Sequence, residues 1–263
     1  MATRSDSAHV HGGSSATEAG RSGLAGPDRS MVRFAAAAGV AGILLEVVMD
    51  QLHPAKSPPN DSVAAFLEYS RSSTWTAVHI GQFAGAFLVS LMLLTVARLG
   101  AVRRGVVGVL ATVGGVAALL YAAVFAVQMA VDGVALKGAV HRWVTATGAA
   151  DKEAAFLTAS AVRDLEKGLG GFFQMLGGIS LLALGLSIVV GRLLPRWTGW
   201  VASVAGAGLV AGGVLTAHTG FSSTASAVLL GPSLLLLVFV LGVSVPLWRA
   251  RWLSPEPPRP DRR

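Results

Sequence analysis

The chain has 263 residues, of which 53% are hydrophobic and only 13% charged. Its mean hydropathy is +0.62, whereas a soluble domain carries about 25% charged residues. This balance points to a polytopic membrane protein whose length suits one compact helical bundle. The net charge of +7 is not a nucleic-acid footprint, because the arginines cluster at the ends of apolar runs, where they set membrane orientation. The absence of cysteine excludes disulfides, thiolate metal sites and redox thiols.

Residues 1–30 are rich in Ser, Gly, Ala and Thr and read as a disordered cytoplasmic tail, with His9 and His11 as a solvated His-x-His pair inside it. They do not read as a cleaved signal peptide, since the polar stretch comes first and no small-x-small site follows the apolar run. Residues 31–250 form the transmembrane domain, and residues 251–263 a Pro/Arg-rich cytoplasmic tail. Within the domain, six apolar runs near 33–52, 75–98, 105–131, 170–191, 198–217 and 227–248 are each long enough to cross about 30 Å of hydrocarbon. The fold class is therefore all-α, a six-helix membrane bundle.

The loops give the orientation. Arg98, Arg103 and Arg104 follow the second run, Arg192 and Arg196 follow the fourth, and further arginines crowd both tails. With six spans these arginines all fall on one side, which the positive-inside rule makes cytoplasmic. The opposite side carries Lys56, Arg71, Lys137, Arg142, Lys152, Arg163 and Lys167, offset by acids. Its loops also contain two helical patterns. One starts after Pro58-Pro59-Asn60-Asp61 and places Val63, Phe66 and Leu67 on one side; the other follows Asp151 and runs into the fourth span.

Small-xxx-small pairs at Gly81/Gly85 and Gly208/Gly212 mark expected helix contacts. The sixth run lacks ionisable residues and reads as the most lipid-facing helix, with Pro232 and Pro246 near its ends. Gln82 to Gly115 runs parallel in pattern to Gln174 to Gly206, which suggests a duplicated helix pair.

Polar side chains inside the spans are costly and therefore informative. Glu46, Asp50 and His53 stand at i, i+4 and i+7 at the end of the first run, and so share one helix face. Glu46 lies about six residues, or roughly 9 Å, inside it. His79 and Gln82 lie near the outer end of the second run, Gln128 and Asp132 end the third with Tyr121 further in, and His218 ends the fifth. Tyr121, His141, Lys167 and Gln174 form a second rank. All of these fall in the extracytoplasmic half.

Three chemistries suit the set. His and carboxylate groups converging from separate helices could hold a metal ion. Haem is the weaker fit, because no second histidine lies opposite His79 at membrane depth. A proton-coupled pocket would use Glu46 or Asp50. No nucleotide loop, nucleophile elbow or zinc-protease spacing is present, so the sequence assigns no reaction. The disordered head, the Arg-only inner turns, Leu52-His53-Pro54 and the Ala/Gly/Val-rich helices together resemble uncharacterised six-pass membrane proteins of actinobacteria. That resemblance implies a bacterial plasma-membrane location and carries no activity. The expectation is a membrane protein with a metal- or ligand-binding pocket facing outward. The alternatives are a proton-coupled small-molecule transporter and a non-catalytic partner protein.

Overall fold

The computed structural model describes residues 28–54, 56–58 and 60–250. The expectations for residues 1–27 and 251–263, His9 and His11 included, lie outside the described residues. The described chain is helical without strands, and six of its helices are long and apolar enough to span a membrane. Those spans are α1 (Arg29–Leu52), α3 (Trp75–Ala101), α4 (Val106–Ala130), α6 (Ala149–Gly191), α7 (Arg196–Thr219) and α8 (Ser223–Arg249). Two shorter helices, α2 (Ser62–Arg71) and α5 (Lys137–Thr145), join them. A π-turn over Val131–Leu136 links α4 to α5 without a break.

Each span packs antiparallel on two neighbours, and the contacts close a ring in the order α1, α3, α4, α6, α7, α8. All the expected spans are present, within a few residues at each end except for the fourth, whose helix begins at Ala149 and runs into the span as the pattern after Asp151 predicts. Both Pro232 and Pro246 lie inside α8, and the Pro232 ring packs over Gly208. As expected, α8 is the least covered span, with 22% of its apolar window buried.

Hydrophobic burial does not drive helix association in lipid, so contact must come from close packing and polar bonds. Glycine supplies the packing between α6 and α7. Gly171, Gly178 and Gly185 stand seven residues apart and face Gly213, Gly206 and Gly199 in turn. A methyl on Gly178 would lie 2.6 Å from the Gly206 carbonyl oxygen, and one on Gly206 would lie 2.5 Å from that of Gly178. Gly42 and Gly85 make the same reciprocal contact between α1 and α3. The two motifs read from the sequence also lie at interfaces, Gly81/Gly85 against α1 and Gly208/Gly212 against α8.

The ring is filled unevenly. Met92, Leu93, Leu184, Ile188, Phe239, Val243 and Leu247 form an apolar core in the half nearer the arginine turns. The other half is covered by a cap in which Phe66 and Tyr69 of α2 pack with Trp75, Leu136, Val140 and Trp143. α6 contributes to this cap because its 43 residues span roughly 65 Å at 1.5 Å per residue, about twice the hydrocarbon thickness. The buried face of α2 is Ala65, Phe66 and Tyr69, whereas Val63 and Leu67 are exposed. The aromatic pair outweighs the aliphatic pair because α5 and α6 present Trp143 and Phe156 to it.

Polar contacts fasten the cap. Asp61 caps α2 by accepting from the Ala64 N–H at 3.0 Å. At the other end the Lys137 ammonium donates to the carbonyls of Tyr69, Ser70 and Ser72, which α2 leaves without helical partners. Lys137→Met is expected to cost about 1–2 kcal/mol and to speed amide exchange in α2 selectively. Exchange measured by mass spectrometry, with α7 as internal reference, checks this.

Glu68 accepts the N–H groups of Lys56 and Ser57 at 2.9 and 2.7 Å, tying the loop after α1 to α2. Slight burial opposes ionisation, but these donors outweigh it and hold Glu68 below its usual range. The folded state thus favours the carboxylate, so this tie is complete above the ordinary glutamate pKa and lost as pH falls through the lowered value. Exchange at Lys56 and Ser57 is expected to accelerate below about pH 4 in the wild type, and to be fast at every pH in Glu68→Gln.

Candidate metal centre beneath the cap

α1 stops at His53, whose backbone is extended, and Pro54 follows it. This stop turns the His53 ring inward, over Trp75 at 4.9 Å and edge-on to His79 at 5.2 Å between centroids. Trp75 opens α3, and His79 lies one turn further on the same inward face. Asp132 comes from the π-turn. Such turns insert a residue into the helical ladder and re-aim side chains, often at functional sites. α3 holds this one in place: the Trp75 indole N–H donates to the Asp132 carbonyl at 2.9 Å, and the Thr76 hydroxyl to the Gly133 carbonyl at 2.8 Å. Gly133 allows the close approach, since a Cβ there would lie 2.6 Å from His79 Cβ.

One ligand atom from each of His53, His79 and Asp132 lies within 4.8 Å of the other two. His79 Nδ1 is 2.7 Å from the Trp75 carbonyl, which only accepts, so Nδ1 carries a hydrogen. That fixes Nε2 as the atom facing Asp132 Oδ2, at 2.9 Å. A nitrogen lone pair and a carboxylate at this distance need a proton or a cation between them. The remaining Asp132 oxygen, Oδ1, is buried without a hydrogen-bond partner. Burial, reinforced by the neighbouring His79, holds His53 below its usual range against the pull of Asp132 and Asp50. His53 is therefore in the neutral form, which ligates metals. Two imidazoles and a carboxylate suit zinc, iron(II) or manganese.

Behind this group lies a buried ion pair. The Arg163 guanidinium donates through Nη1 to both Glu166 oxygens, at 2.7 and 2.6 Å. It also lies over the rings of Tyr69 and Phe221, at 5.3 and 4.8 Å from their centroids, joining α6 to α2 and to the turn before α8. The Glu166 carboxyl neighbours that of Asp132, giving the triad a supporting shell of the kind that orients ligands.

The other sequence candidates separate by depth. Gln128 is buried beside Gly170, and Glu46 lies over Gly85, with Tyr121 within its electrostatic reach. Gln82 lies between His79 and Ala86 on the inward stripe of α3, and its Oε1 is buried. Asp50, His141 and His218 are exposed and do not join the triad. Lys167 pairs with Asp164 at 3.1 Å, and Gln174 accepts from the Thr216 hydroxyl at 3.1 Å. Sequence reasoning missed Trp75, Gly133, Arg163 and Glu166. The Arg163/Glu166 spacing of i, i+3 was visible, but nothing local separates a buried pair from a solvated one.

No family model, curated protein or solved structure matches this chain.

Proposed function

We propose that this is an integral membrane protein of the bacterial plasma membrane that binds a divalent transition-metal ion through His53, His79 and Asp132. The convergence of these three ligand atoms, from the end of α1, from α3 and from the π-turn, carries the reading. The arginine turns at the far end of the bundle support cytoplasmic termini, and hence an extracytoplasmic centre, by the positive-inside rule. Three protein ligands leave a coordination position for water or a small ligand, as in open zinc sites. The cap of α2 and α5 packs on Trp75, whose ring lies against both His53 and His79.

The test is metal binding by the purified protein in lipid nanodiscs. After equilibration with zinc and removal of excess, elemental analysis is expected to give one ion per chain. His53→Ala and His79→Ala are each expected to lower affinity at least tenfold. A folded wild-type protein that retains no zinc, manganese or iron overturns the proposal.

A further inference from the structure

The triad is the outer end of a longer polar column. On α3 the inward stripe runs His79, Gln82, Ala86; on α4 and the π-turn it runs Asp132, Gln128, Phe125, Tyr121, in the opposite direction. Glu46 of α1 meets the inner end of the column over Gly85, six residues and about 9 Å along α3 from His79. Four buried acceptor oxygens without hydrogen-bond partners lie along it: Asp132 Oδ1, Gln128 Oε1, Gln82 Oε1 and Glu46 Oε1. Leaving such atoms bare is costly, and internal water is the ordinary remedy where several polar groups adjoin.

The groups that face Glu46 are the Ala86 backbone, Asp50 one turn along α1, and Tyr121 of α4. None is a cation, and no described residue forms a salt bridge with Glu46. A bare carboxylate at this depth is expensive, so in the metal-free protein Glu46 holds a proton. A divalent ion in the triad would change that balance. It places two positive charges roughly 10 Å away across a low-dielectric interior, where charges interact strongly and favour the ionised carboxylate.

Building on the metal-binding reading above, we propose that Glu46 is a proton-release site coupled to the centre. When the ion binds, the Glu46 carboxylic acid gives up one proton and becomes a carboxylate. The proton leaves along water held by Gln82 and Gln128 to the capped face. By reciprocity, protonation of Glu46 weakens metal binding by the same factor.

The experiment counts protons released per zinc ion, by calorimetry in buffers of different ionisation enthalpy, for wild type, Glu46→Gln and Glu46→Asp at pH 7. Wild type is expected to release about one more proton than Glu46→Gln, with Glu46→Asp restoring the release. Infrared difference spectra of the wild type on zinc addition are expected to show loss of a protonated carboxyl band, which removes dependence on the Gln variant's folding. Zinc binding with equal release in wild type and Glu46→Gln, or with no carboxyl band lost, overturns the coupling while leaving the centre intact. Absence of zinc binding in the wild type overturns the centre itself, and the coupling with it.

Discussion

Asp132→Asn is expected to abolish tight metal binding while leaving the fold nearly intact, whereas Asp132→Ala damages both. The difference follows from the hydrogen at His79 Nδ1, which donates to the Trp75 carbonyl and leaves Nε2 as an acceptor. An asparagine amide at position 132 can donate to that nitrogen across the 2.9 Å contact, so the buried polar atom keeps a partner. The anionic charge is gone, however, and zinc affinity should fall at least 100-fold, the upper range for losing support at a metal site. Alanine leaves His79 facing an empty polar position, and breaking a buried pair in this way costs about 3–5 kcal/mol. Zinc titration followed by thermal unfolding of the metal-free variants in one detergent separates the two effects. Native zinc affinity in Asp132→Asn would leave Asp132 with a structural role only.

Gly178→Ala is expected to destabilise the bundle by about 3 kcal/mol, the upper part of the range for overpacking, and Gly178→Leu to prevent native assembly. The added methyl would lie 2.6 Å from a backbone carbonyl, that of Gly206. A side chain in that place could rotate away; a carbonyl fixed in a helix cannot. The pairs Gly171/Gly213 and Gly185/Gly199, one heptad to either side, stop α7 from yielding locally. Two glycines supply the control. Gly168 of α6 and Gly231 of α8 have nothing within 4 Å of an added Cβ, so alanine there should be neutral or stabilising by up to about 1 kcal/mol through helix propensity. Unfolding midpoints of the four alanine and leucine variants in detergent decide the matter. Equal effects at positions 178 and 231 would show that the heptad contact carries no special stability.

Both predictions rest on groups that the sequence treats unequally. Asp132 and His79 stand out as ionisable residues in apolar runs, so they were legible as candidates together with Glu46, Gln82 and Gln128. Their grouping was not. Asp50 and His218 carry the same chemistry at similar depth yet face outward, and their rotation about the helix axis depends on neighbours far away in the chain. His53 joins the triad because α1 ends there and its ring turns in over Trp75. Asp132 joins it because a π-turn, held by Trp75 and Thr76, changes the register of the helix after Ala130. Helical periodicity read along the sequence assumes a constant turn and cannot anticipate that change.

The sequence by itself determined the number of spans, the all-helical class and the segregation of polar groups into one half of the bundle. Those features follow from local quantities: run length against bilayer thickness, and the cost of burying a charge in hydrocarbon. The tertiary structure decided which helices are neighbours, which glycines touch, and that His53, His79 and Asp132 meet while Arg163 and Glu166 stand behind them. These depend on contacts between residues as far as 215 positions apart. In a membrane bundle such contacts are selected by close packing and polar pairing rather than by a hydrophobic pattern legible in any one helix.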